Sequence, residues 1–146
     1  MVDGSDIQII EQLRKDGRLS LRKLADRVDI SASTVSNRFN KMVKNSIIKG
    51  FQPVLDYEKL GFGLATVIQL RVESGKIEKV TENLEEMDFI DSIYVVTGET
   101  DIMVICRFKD RQGMNRGGRA LQDIDGVEGT KTNVVLESYE DLDLEL

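Results

Sequence analysis

Apolar residues recur every third or fourth position at the start of this 146-residue chain and every second position further on. The change of period separates a helical beginning from a sheet-bearing remainder. Ile7, Ile10 and Leu13 share one face of a first helix, with Asp3 or Ser5 as its N-cap and the Asp16-Gly17 pair as its stop. Leu21, Leu24, Ala25 and Val28 do the same for a second helix capped by Ser20, and Val35, Phe39, Met42 and Val43 for a third capped by Ser31. Only Asp29 and Ile30 stand between the second and third helices. A turn that short needs a left-handed residue, and Asp tolerates that conformation better than most. Ala25 is small where crossing helices approach, and Ile30 and Val35 fill the angle between them. The pattern predicts a helix-turn-helix, with an ordinary helical hairpin as the plainer alternative.

Asn45-Ser46 ends the third helix, with Asn45 in the left-handed C-terminal position, and residues 47–52 predict a short strand. Pro53 and Gly61-Phe62-Gly63 bracket a linker. Beyond it, residues 65–73, 90–97, 102–109 and 127–138 carry strand-like runs, and 76–87 and 112–124 carry helical spacing. The order is βαββαβ, a ferredoxin-like arrangement. Gly117-Gly118 weakens the last helix by about 1 kcal/mol per glycine relative to alanine, marking either a close-packing site or a soft spot. The fold class is therefore α+β. A helix-turn-helix domain at 1–50 precedes a linker strand and hinge at 51–62. A ferredoxin-like domain with an acidic tail follows at 63–146. Ile102, Val104, Cys106 and Phe108 alternate with Met103 and Ile105, so the sheet has apolar residues on both faces while two helices cover only one. Dimerisation through this domain is expected, a monomer with a modestly apolar surface being the alternative.

Charge gives the first domain a partner. Residues 1–50 hold ten Lys and Arg against six Asp and Glu, a net of +4, whereas the remainder carries −10. A basic module neutralises phosphates and an acidic one is repelled by them. Ser33, Thr34, Asn37, Arg38, Lys41 and Lys44 project outward from the third helix. Hydroxyls and an amide near its N-terminus, with cations behind, suit a helix entering the major groove of double-stranded DNA. The chain has no histidine, so the usual base of hydrolytic triads and metal sites is missing. No catalytic residue, metal site or cofactor is expected. No apolar run approaches the roughly 20 residues that span a bilayer, and no apolar stretch follows Met1 to suggest a signal peptide. Cys106, the single cysteine, lies in an apolar run and reads as an inert core residue in a reducing cytoplasm.

In its ordered motifs the chain resembles the Lrp/AsnC, or feast/famine, transcription regulators. They are DGRLS at 16–20, KLA at 23–25, ISASTV at 30–35, Arg38, IKGF at 48–51, LDYEKLG at 55–61, GETD at 98–101 and GVEGTKTNVVLE at 126–137. The resemblance covers nearly the whole length. It implies a winged helix-turn-helix joined to an effector-binding and oligomerisation domain, homodimers that assemble into octamers, and an amino-acid effector. It also implies effector-binding roles for Gly98, Thr100, Asp101, Thr130 and Thr132, with Asp101 pairing with the ligand's ammonium group. The family's loop usually reads Gly-Asp-x-Asp with an aromatic, and this chain has Gly98-Glu99-Thr100-Asp101 instead. The alternatives are an effector-independent architectural DNA-binding protein and a family-like enzyme.

Overall fold

The computed structural model describes residues 1–140, 142 and 144–146. The chain forms two compact units, one built on Met1–Val54 together with the end of the chain, the other on Leu55–Glu140. The division falls inside the predicted linker. The end of the chain groups with the first unit rather than the second, and the Arg14 guanidinium donates to the Leu144 carbonyl at 2.6 Å.

The first unit is a trihelical bundle of α1 (Gly4–Lys15), α2 (Leu21–Val28) and α3 (Ala32–Lys44). Each helix starts on a residue whose side chain satisfies an otherwise orphan backbone N–H. Asp3 caps α1 reciprocally with Asp6, Ser20 caps α2, and Ser31 caps α3. Ile9, Leu13, Leu24, Ala25, Val35 and Met42 bury against one another as its core. Asp29 takes the left-handed conformation (φ 53°), and the Ile30 N–H reaches back to the Ala25 carbonyl, which closes α2 and redirects the chain.

Two expectations fail at the end of α3. Asn45 keeps a negative φ (−89°), and Ser46 is the left-handed residue (φ 56°). The Ile47 and Ser46 N–H groups bond to the Met42 and Val43 carbonyls in a Schellman closure, so the left-handed residue sits one place later. Residues 47–52 form no strand. A strand needs a second one to take its backbone groups, and the bundle supplies none. The apolar residues there serve packing, Ile48 against the bundle core and Phe51 stacked on Phe39 at 6.3 Å.

The second unit is a four-stranded antiparallel sheet of β1 (Leu64–Val72), β2 (Ile90–Val95), β3 (Ile102–Phe108) and β4 (Val127–Val134), in the order β2-β3-β1-β4. Helices α4 (Ile77–Glu85) and α5 (Arg111–Gln122) complete the βαββαβ order. Ile68, Leu70, Ile102, Val104, Cys106 and Phe108 fill the helix-covered side with Val80, Leu84 and Leu121. β4 ends at Val134, four residues short of the expected end. Beneath α5, the Phe108 ring stacks on Phe89 at 5.3 Å, and a Cβ at Gly117 would lie 2.5 Å from it. Gly117 is a close-packing site. Gly118, with nothing within 4 Å of the corresponding position, is not.

Ala65, Val67, Met103 and Ile105 lie half-buried on the other face of the sheet, in register across β1 and β3. At one end the Arg107 guanidinium sits 3.8 Å above the Tyr57 ring and pairs with Asp91 at 3.2 Å. Part of the predicted linker is thereby folded onto the sheet, its turn capped by the Asp56 carboxylate.

Candidate DNA-binding face and effector cleft

The capping hydroxyl of Ser31 accepts the Thr34 N–H at 3.3 Å and donates to Thr34 Oγ1 at 2.8 Å, which fixes the first turn of α3. With Val35 and Met42 buried behind them, Ser33, Thr34, Asn37, Lys41 and Lys44 are exposed. Asn40, which the charge pattern does not single out, joins them one turn beyond Asn37. The arrangement presents hydroxyls and amides toward the helix start and two ammonium groups toward its end, the chemistry that reads base edges and holds phosphates.

Arg38 departs from the expected outward orientation. Its Nη1 donates to Asp3 Oδ2 at 2.7 Å and to Asp6 Oδ1 at 2.9 Å, and only 31% of its side chain is exposed. Asp6 is itself buried in the first turn of α1 and accepts the Asp3 N–H. The guanidinium therefore ties the middle of α3 to the α1 cap. It holds the Asp3 carboxyl below the usual carboxylate range, helped by the Asp6 backbone N–H, and its own pKa rises in return, from the Asp3 bond first and the Asp6 bond second. Sequence spacing alone put Arg38 on the polar side of α3; the acids it meets lie 32 and 35 residues away.

In the second unit the loop between β2 and β3 carries Gly98 at φ 110°, a conformation that calls for glycine although there is open space around it. Thr100 Oγ1 donates to Gln69 Oε1 at 2.9 Å. The Asp101 carboxylate accepts the Val72 N–H at 2.7 Å, while its own N–H donates to the Leu70 carbonyl. Asp101 thus fastens the β2–β3 loop to the end of β1. Thr130 accepts from the Gln122 amide at 3.1 Å, and Thr132 pairs with Ile68 in the β1–β4 register.

A cleft of about 230 Å³ lies beside this loop, lined by Gln69, Arg71, Glu99, Thr100, Gly129, Thr130 and Lys131. It brings together Thr100 and Thr130 from the expected effector set; Gly98, Asp101 and Thr132 do not line it. Gln69, Arg71, Glu99 and Lys131 are the residues that sequence reasoning missed. Their signal is the register itself, which places Gln69 beside Lys131 and Arg71 beside Gly129 on the sheet face away from the helices.

The sequence of residues 2–49 matches the family model of winged helix-turn-helix DNA-binding domains, and residues 65–143 match that of the Lrp/AsnC ligand binding domain. The chain belongs to the Lrp/AsnC family of transcriptional regulators. This Lrp/AsnC chain is 38% identical to an uncharacterised HTH-type transcriptional regulator of Pyrococcus abyssi, over 94% of its own length and 93% of the relative's. Its fold is that of Bacillus subtilis LrpC, with a TM-score of 0.87 at 23% identity, covering 96% of this chain and 98% of LrpC. It is also that of a Neisseria meningitidis transcriptional regulator solved with L-Met, with a TM-score of 0.88 at 23% identity, covering 98% and 97%.

Among the described residues of this Lrp/AsnC regulator no group of three His, Cys, Asp or Glu side chains is placed to hold a metal ion, and no helix is long and apolar enough to cross a membrane. Burial pushes the Cys106 thiol up to about 12, so it stays protonated and unreactive. The Thr66 hydroxyl beside it pulls weakly the other way, in a geometry that falls short of a hydrogen bond.

Proposed function

We propose that this regulator binds double-stranded DNA through the exposed side of α3 and changes its activity when an amino acid occupies the cleft beside the β2–β3 loop. The observation that carries the DNA reading is the row of Ser33, Thr34, Asn37, Lys41 and Lys44, exposed on a helix whose opposite side is buried. Residues 1–50, with their net charge of +4, form the DNA-binding domain, 51–62 the hinge, and the sheet-bearing part from residue 63 to residue 140 the effector-binding and oligomerisation domain. The half-apolar open face of the sheet supports a homodimer, and family likeness supports further assembly to an octamer. A dimer presents two copies of α3 to a palindromic site. The relative solved with L-Met supports an amino acid as the effector class. The protein acts in the cytoplasm, as a regulator and not as an enzyme, and without a cofactor.

The test is a gel-shift titration on the protein's own upstream region at fixed salt, repeated over a salt series. Lys41→Ala should weaken binding to all sequences and reduce the salt slope by about 1, whereas Asn37→Ala should cost about 1–3 kcal/mol on the specific site only. Unchanged binding by both variants, with assembly intact, refutes α3 as the reading helix. An amino-acid panel added to the same titration separates effector control from an architectural protein that ignores it.

A further inference from the structure

The charges in the cleft specify more than an amino acid. Arg71 and Lys131 project from β1 and β4 on the same face of the sheet, and Glu99 comes from the β2–β3 loop opposite them. None of the three makes an ion pair among the described residues. Gly129 is the register partner of Arg71, and a Cβ there would lie 2.8 Å from the Arg71 guanidinium. The missing side chain lets that guanidinium lie across β4 into the cleft. Gln69, the neighbour of Lys131 in the register, is held by the Thr100 hydroxyl. Asp101, bonded to the Val72 N–H, does not line the cleft, and Glu99 is the carboxylate in its lining.

Two cations and one anion complement a ligand with two anions and one cation. Resting on the amino-acid reading above, we infer that the cleft selects an acidic amino acid, with Arg71 and Lys131 holding its two carboxylates and Glu99 its ammonium. Guanidinium pairs with carboxylate in a planar, two-bond fork, which fixes orientation as well as charge. The space of about 230 Å³ is below the roughly 300–1,000 Å³ of pockets for drug-sized ligands and suits a small zwitterion.

Calorimetry on the full-length protein with L-aspartate, L-glutamate, L-asparagine, L-glutamine, L-lysine and L-methionine tests the assignment. One of the two acidic amino acids should bind at least tenfold more tightly than its amide, a pair that differs only in the charge at issue. Arg71→Gln and Lys131→Gln should each erase that preference. Gly129→Ala, which keeps every charge but displaces the guanidinium, should weaken binding in the same direction. Tighter binding of an amide, of L-methionine or of L-lysine overturns this inference and leaves amino-acid control standing. No binding of any of the six overturns this inference, and no binding of any of the remaining common amino acids overturns the amino-acid reading as well.

Discussion

Arg38 shows how one side chain changes role once its surroundings are known. On the helix surface alone it is a cation among polar residues, yet its Nη1 is bonded to both Asp3 and Asp6. Arg38→Ala is therefore expected to loosen the packing of α3 on α1 before it alters any base contact. The pH dependence follows from Asp3, whose folded-state pKa is lowered by that bond. A carboxylate of this kind adds stability above its unfolded pKa, near 4, and the contribution is lost as pH falls through the lower folded value. Urea denaturation should show wild type more stable than Arg38→Ala at pH 7, with the gap closing as pH falls below about 4. A gap unchanged across that range would mean that the ion pair contributes nothing to stability and that Arg38 is spare for DNA.

At the scale of elements, α5 is decided by two adjacent glycines that composition cannot tell apart. Gly117 faces the Phe108 and Phe89 rings, and Gly118 faces open space. Gly117→Ala should destabilise the second unit by about 1–3 kcal/mol, the range for overpacking a core contact. Gly118→Ala should stabilise it by up to about 1 kcal/mol through helix propensity alone. Opposite signs in chemical denaturation of the two variants confirm the packing; equal shifts refute it. The caps of the first three helices were legible in the sequence because capping is a short-range reaction of a side chain with N–H groups two or three residues on, whereas the Asp110 cap of α5 was missed and α4 starts without a side-chain cap. Asp3, Ser20 and Ser31 cap as expected. That residues 47–52 form no strand was not legible, since apolar residues there record only contact, and packing on a helical bundle leaves the same trace as pairing with a strand.

For the whole molecule the open face of the sheet matters most. Ala65, Val67, Met103 and Ile105 lie there half-buried, and Tyr94 beside Met103 is 55% exposed. If this face is the contact between copies, Ile105→Glu should shift the protein toward monomers in light scattering at micromolar concentration while far-ultraviolet circular dichroism keeps the helix and sheet signal. A charge buried at such a contact without a partner is costly. Loss of the sheet signal calls for the milder Tyr94→Lys on the edge strand β2 of the same face, with the same expected drop in mass. No drop with either variant places the contact elsewhere.

The sequence by itself determined what short-range chemistry controls: the period of the apolar positions, the capping residues, the left-handed Asp29, the order βαββαβ and the separation of a basic from an acidic part. Each depends on residues within a turn or a strand of one another, so each is written locally. Tertiary structure decided which polar groups are free. Arg38 and Asp101 carry the right charges for DNA and for an ammonium group, but one is bonded to acids more than 30 residues away and the other to the end of β1. Arg71, Glu99 and Lys131 meet in one cleft only because the register of β1 with β4 and the β2–β3 loop bring them there. A charge available to a ligand is one the fold has left unpaired, and pairing across the chain is fixed only when the chain has folded.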